Sequence, residues 1–322
     1  MAETLAIEAI GLIRRFGPVQ AVRGLNLAIR SGEIFGLIGP DGAGKTTTLR
    51  LLAAVMLPTA GQVRIMGQDT RRQAEAIRRA IGYMPQKFSL YGDLTVAENL
   101  GFFADIFGVR GPARRQRIEE ALAFAHLAEF RGRRAAHLSG GMQKKLALAC
   151  TLVHTPQVIF LDEPTTGVDP ISRREFWDIL TALHVQGVTL LISTPYMDEA
   201  ERCSRVGLMY EGEIIRCDRP EVLRTLVPGE MLAVRTTPLA AAQEILERVP
   251  GVLEVQTYGD RLHLFVESAT ALQPVIRERL AAAGLPASDI RDGTPRVEEA
   301  FISLIRQRQA GAGGTSGTAS LS

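Results

Sequence analysis

Residues 39–46 read GPDGAGKT, a complete G-x-x-x-x-G-K-[ST] pattern. The chemistry it suits is the binding of a nucleoside triphosphate. Gly39, Gly42 and Gly44 free the main chain to curl its N–H groups around phosphate oxygens. Lys45 brings a point charge to the β- and γ-phosphates, and the Thr46 hydroxyl can ligate Mg²⁺. Pro40, Asp41, Ala43 and Thr47 complete the expected nucleotide-binding stretch. A glycine turn that merely joins two elements is the plainer account, and the completeness of the pattern speaks against it.

A partner for the metal should stand at the end of a neighbouring strand. Residues 158–163 (VIFLDE) supply Asp162, placed to hold Mg²⁺ through water, and Glu163, placed to orient or deprotonate a water. Two acids capping a strand are common in isolation. Beside a phosphate loop they form the attacking-water arrangement of an NTP hydrolase. Two further stretches stand out. In residues 138–143 (LSGGMQ) Ser139 has the form of a helix N-cap, with Gly140, Gly141 and Gln143 behind it. In residues 188–201 (VTLLISTPYMDEAE) an apolar run stops at a polar step, and Pro195 occupies the strand end where α/β enzymes meet their ligands.

These residues need a scaffold. Residues 34–38 (IFGLI) form a short continuous apolar run, as expected of a strand covered on both faces, and 158–161 and 188–192 read the same way. Leu49, Leu52, Ala53 and Met56 recur at helical spacing after the glycine loop, so a helix N-terminus adds its positive dipole end to the phosphate site. Residues 173–183 read as a helix between two of the strands, which implies a largely parallel sheet. Leu5, Ile7 and Ala9, then Leu25, Leu27 and Ile29, alternate like a half-exposed sheet. The stretch from about 96 to 153 lacks strand signals and reads as a helical subdomain. Residues 206–215, with a turn at Glu211 and Gly212, suggest a closing hairpin. The fold class is therefore α/β, a P-loop domain over about 4–226, followed by a small α+β accessory domain over 230–308. That domain reads β-α-β-β-α with a final helix, its strands burying one face. Residues 309–322 are Gly/Ser/Thr-rich and expected to be disordered.

The chain has 322 residues, which favours two domains, and 37 Lys plus Arg against 35 Asp plus Glu. That balance argues for no nucleic-acid or acidic partner. The arginines at 110–117 and 131–134 read as solvated helix ends. No apolar run approaches the ~18 residues that cross a bilayer, and the start has no signal-like core, so a cytoplasmic chain is expected. Cys150, Cys203 and Cys217 have no metal spacing and read as reduced thiols.

LSGGMQ, some twenty residues before the acid-ended strand, resembles the signature of ABC-type ATPases, and the other elements fall in that family's order. The resemblance covers residues 4 to about 226. It implies an ABC-type ATPase domain with a mixed sheet core, an antiparallel β subdomain and a helical subdomain. Phe16 stands where an aromatic stacks on adenine. Gln86, in GYMPQ, stands where a glutamine reads Mg²⁺ and the γ-phosphate. Asp169, in residues 167–169 (GVD), resembles the loop that crosses a dimer interface. Residues 83–100 (YMPQKFSLYGDLTVAENL), 162–170 (DEPTTGVDP) and 294–305 (TPRVEEAFISLI) look most like ATP-binding subunits of ABC-2-type exporters. The resemblance implies two ATPase domains closing head to tail on two ATP molecules. Each site would join one chain's phosphate loop to the other's Ser139–Gly141 segment. Closure would be passed to ABC-2-type membrane subunits around residues 86–99, at the inner face of the membrane.

One position departs from the family. The switch segment normally reads S-T-H, its histidine touching the γ-phosphate, and here it reads Ser193-Thr194-Pro195. Proline has neither an imidazole nor an N–H. Three readings stay open: an impaired own site in a heteromeric pair, a homodimer in which Glu163 suffices, or an ATP-binding regulator without useful turnover. Partial degeneracy favours the first, and Glu163 keeps the second alive. From another class, a soluble ABC-type ATPase acting on nucleic acid or the ribosome is the alternative, though such proteins usually carry long coiled-coil insertions or two ATPase units in one chain, and this sequence shows neither of these nor a basic stripe.

Overall fold

The computed structural model describes residues 4–87 and 90–313. It divides into two compact units, 1–218 and 219–322. The division falls earlier than the expected boundary at 226–230, because a short helix over Pro220–Arg224 packs with the second unit's last helix.

The first unit opens with β1 (Leu5–Phe16) and β2 (Val19–Arg30), an antiparallel pair. Then come β3 (Ile34–Ile38), α1 (Lys45–Leu52), β4 (Ala60–Ile65), β5 (Gln68–Asp69), α2 (Ala74–Ala80) and β6 (Ile81–Met84). Three helices follow, α3 (Val96–Ile106), α4 (Gly111–Phe124) and α5 (Gly140–Leu152). The unit closes with β7 (Val158–Asp162), α6 (Pro170–Val185), β8 (Thr189–Thr194), β9 (Arg205–Tyr210) and β10 (Glu213–Asp218).

These strands form two sheets. One is antiparallel, in the order β2-β1-β4-β5; the other is mixed, in the order β10-β9-β3-β8-β7-β6, with only β10 antiparallel to its neighbour. Every residue of β3, β7 and β8 is buried, which is why these segments read as unbroken apolar runs. Ile7, Leu25, Leu27 and Ile29 face a core shared with Phe35, Leu49 and Phe160. Leu5 was expected on that face and is exposed, because the β1–β2 register shifts between Leu5 and Ile7.

Residues 96–153 hold helices and no strand, with Leu100, Ala121, Leu146 and Cys150 in a core of their own. Thr95 and Glu98 start α3 as a reciprocal capping box. The arginine clusters are solvated and paired with acids: Arg114 with Asp105, Arg117 with Glu120 and Arg131 with Glu119.

The second unit runs α7 (Pro220–Arg224), β11 (Glu230–Arg235), α8 (Leu239–Leu246), β12 (Val252–Tyr258), β13 (Arg261–Val266), α9 (Ala269–Ala282), β14 (Asp289–Gly293) and α10 (Val297–Gly313). β14 was not foreseen. Its sequence, DIRDG, carries one apolar residue, and it pairs at the edge of the antiparallel sheet β12-β13-β11-β14. The sequence pattern has these strands burying one face, and the structure covers both. Leu232, Val234 and Leu264 pack on α8 and α9, while Met231 and Phe265 lie against Ala300 of α10, so both faces are covered. α10 also extends into the segment expected as a tail; residues 314–322 lie outside the described residues.

Candidate active site

The parallel strands β3, β7 and β8 end side by side, with Asp162 opposite Ser193 and Ile38 opposite Thr194. The loop after β3 carries residues 39–44 and turns into α1. Gly44 is the helix N-cap at φ 103°, and a Cβ there would stand 2.4 Å from the Ala21 carbonyl oxygen, so both conformation and space demand glycine. Lys45 is 4% exposed. Its Nζ donates to the carbonyls of Gly39 (2.8 Å) and Pro40 (3.0 Å) and lies 3.6 Å from Glu163 Oε1. The lysine thus closes the loop on itself and faces the second acid.

Thr46 Oγ1 donates to Asp162 Oδ1 at 2.9 Å, joining two motifs far apart in the chain. Ser193 Oγ donates to the same oxygen at 2.7 Å. Asp162 Oδ2 is buried with no partner in the protein. An unpaired buried carboxylate oxygen is costly, and a hard divalent cation held by Thr46 and Asp162 would satisfy it. The residues present therefore fit Mg²⁺. Among the described residues no cluster of three His, Cys, Asp or Glu offers an all-protein cage, and a metal completed by phosphate oxygens does not need one.

Glu163 is buried and sits at φ 48°, in the left-handed region that a glutamate rarely adopts. Ser193 holds it there, since the Glu163 N–H donates to the Ser193 carbonyl (3.0 Å) and to Ser193 Oγ (3.1 Å). Gln86 Nε2 donates to Glu163 Oε2 at 2.8 Å, and Thr166 Oγ1 does so at 3.3 Å. Lys144 Nζ donates to the Gln86 carbonyl at 3.2 Å. Burial pulls the Lys144 ammonium below the usual lysine range, against the opposing pull of Glu163 and Asp162.

Lys45, Thr46, Gln86, Asp162 and Glu163 are thus brought together. Phe16 ends β1, half exposed, with the Arg14 guanidinium over its ring at 4.5 Å. Ser139 caps α5 by accepting from the Met142 N–H, and Gln143 Nε2 donates to the Ala135 carbonyl. Gly140 has open space about it, whereas a Cβ on Gly141 would meet the Ser172 side chain at 2.4 Å. Asp169 caps α6 by accepting from the N–H groups of Ile171 and Ser172. The hydrogen bond from the Ser172 N–H is the chief reason its carboxyl lies below the usual range. The signature segment and the Asp169 loop are therefore neighbours within this chain.

Pro195 follows β8 directly, half-buried; the next N–H, that of Tyr196, donates to Thr194 Oγ1. The segment beyond it is anchored by Glu199. One oxygen of that buried carboxylate accepts from Thr165 Oγ1 (2.7 Å), Arg173 Nε (2.7 Å) and Trp177 Nε1 (3.0 Å). Sequence reasoning missed Ser193, Thr166, Lys144 and this Glu199 cluster. Ser193 alone had a signal, as the polar step at the end of a buried strand.

The family model described as ABC transporter matches residues 22–166. The chain is 43% identical over 300 residues to the probable multidrug ABC transporter ATP-binding protein YbhF of Escherichia coli (strain K12); the match covers 92% of this chain and 51% of that protein. The chain thus spans about half the length of that relative. It is 33% identical to a Nod factor export ATP-binding protein I of Ralstonia nicotianae, covering 94% of this chain and 95% of the relative. A daunorubicin resistance ATP-binding protein, DrrA2 of Streptomyces coeruleorubidus, is 34% identical over 94% of this chain and 96% of its own length. Among solved structures, the dimeric ATP-binding cassette MJ0796 in a post-hydrolysis state with ADP and Pi aligns at TM-score 0.61. It is 30% identical, and the alignment covers 66% of this chain and 98% of that one.

Proposed function

The chain belongs to the ATP-binding proteins of ABC transporters, and on that premise we propose that it binds and hydrolyses ATP to drive export through separate ABC-2-type membrane subunits. The observation that carries this reading is the convergence of Lys45 and Thr46 on Glu163 and Asp162, beyond the ends of β3 and β7, the two strands that flank β8 in the parallel part of the sheet. Mg²⁺, held by Thr46, Asp162 and Gln86, would neutralise charge on the bound phosphates. Lys45 orients the β- and γ-phosphates, and Glu163 is the group that takes a proton from an attacking water. Phe16, half exposed at the end of β1, is the adenine platform. Ser139, Gly140, Gly141 and Gln143 serve the nucleotide of a second ATP-binding domain, and Asp169 lies on the loop facing it. The exporter and resistance names of the relatives support transport over action on nucleic acid. Among the described residues no helix is long and apolar enough to cross a membrane, which is in keeping with a peripheral subunit on its inner face.

Pro195 makes this chain's own site the weaker one of an asymmetric pair. Losing a preorganised donor to developing charge costs about 10²–10³ in rate. A relative about twice as long, of which this chain matches half, is in keeping with such pairing. The test is Mg²⁺-ATPase activity of the purified chain beside Pro195→His, with Glu163→Gln as the blank. The asymmetric reading expects a silent parent and a Pro195→His variant that turns over. Equal rates would mean that a homodimer suffices. Undiminished nucleotide binding by Lys45→Ala would overturn the phosphate-loop assignment itself.

A further inference from the structure

We propose that Lys144 is a positioning residue for Gln86, and that through it the helix serving the partner's nucleotide sets the metal end of this chain's own site. The proposal rests on the nucleotide-site reading above.

Gln86 lies on a stretch with neither helix nor strand, between β6 and α3. A side chain on such a loop spreads over many positions unless something fixes its backbone. Lys144 of α5 does so, donating from Nζ to the Gln86 carbonyl at 3.2 Å. The Gln86 amide is then placed to donate to Glu163 Oε2 at 2.8 Å. Both residues line one cleft of about 410 Å³, together with Gly140, Thr166 and Gly167.

Lys144 sits on the helix that Ser139 caps. Its bond to Gln86 therefore ties the segment assigned to the second nucleotide to the side chain assigned to the first. Lys145, its neighbour, does something different, pairing with Glu175 of α6. Pro195 sharpens the consequence. Where that position donates nothing, more of the γ-phosphate end depends on how well Gln86 is held.

The test uses the full chain with Lys144→Gln and Lys144→Arg. The dissociation constant of a fluorescent ATP analogue is measured in EDTA and again in Mg²⁺. Lys144→Gln is expected to keep the metal-free affinity within about twofold of the parent. It should lose roughly three- to tenfold of the gain that Mg²⁺ confers, less than a fully buried charge-assisted hydrogen bond because Lys144 is only partly buried. Lys144→Arg should keep most of that gain. A Lys144→Gln variant with the full Mg²⁺ gain overturns the proposal. So does an equal loss with and without metal, which would make Lys144 a general attractor of polyphosphate. If the parent binds no analogue in either buffer, the phosphate-loop reading itself has failed and the proposal goes with it.

Discussion

Ser193 shows what one hydroxyl can do when a strand pairing delivers it to the right place. It donates to Asp162 Oδ1 at 2.7 Å and accepts from the Glu163 N–H at 3.1 Å, so one buried oxygen orders both acids together. Ser193→Ala removes the donor to Asp162 but leaves the Glu163 N–H its bond to the Ser193 carbonyl. Stability should fall by about 1–3 kcal/mol, the usual cost of leaving a buried group short of a partner. Turnover should fall more than nucleotide affinity, read from a denaturant melt and from kcat and KM. If KM alone changed, Ser193 would not be ordering the acids. The acid pair was legible in the sequence as an apolar run ending in Asp-Glu. The part Ser193 plays was not, because it depends on the Asp162–Ser193 register between β7 and β8, which local pattern does not encode.

Between elements, α5 and α6 approach so closely at their first turns that side-chain volume decides the fit. A Cβ on Gly141 would lie 2.4 Å from Ser172 Oγ and 2.5 Å from Ser172 Cβ. Gly141→Ala should therefore destabilise the chain by about 1–3 kcal/mol, the range for overpacking. Adding Ser172→Gly should restore part of that loss, giving a favourable coupling in a double-mutant cycle. A cycle without coupling would place the strain elsewhere. The LSGGMQ motif was plain in the sequence, yet its two glycines looked alike. Only the packing distinguishes Gly140, with open space, from Gly141, seated on α6. The helices themselves were legible because their apolar spacing and caps agree, as with Thr95 and Glu98 at α3.

At the scale of the whole molecule, the second unit holds a buried polar pair under α10, with an arginine of the same helix bonding at its edge. His263 Nδ1 lies 3.0 Å from Glu299 Oε1, and Arg306 of the same helix donates to the Val255 carbonyl and to Glu254. Burial pushes the Glu299 carboxyl up, but hydrogen bonds from His263 and from the Arg296 and Glu299 N–H groups outweigh it and leave it below its ordinary value of 4.5. A carboxyl depressed on folding stabilises above its unfolded value and loses that contribution as pH falls through the folded value. The parent should therefore lose stability in the second unit below about pH 4.5. Glu299→Gln should be less stable near neutral pH and show a flatter acid limb, followed by thermal melts across pH. A variant with an unchanged acid limb would show that Glu299 is not the group responsible. The α+β character of this unit was legible, while β14 was not: it is held by main-chain pairing at a sheet edge, and its charged DIRDG sequence carries no strand signal.

The order of strands in the mixed sheet also bears on synthesis. β3, which carries the phosphate loop, is bonded on one side to β8 and on the other to β9. The two neighbours begin roughly 150 and 170 residues further along the chain. A ribosome adding ~5–20 residues per second needs on the order of 8–30 s to deliver them. During that interval β1, β2, β4 and β5 already have their partners, while the apolar IFGLI strand has none and is exposed to chaperones and to other nascent chains. The nucleotide pocket is thus among the last parts of the first unit to take shape during translation, and bound ATP can steady only a chain whose β8 and β9 have emerged.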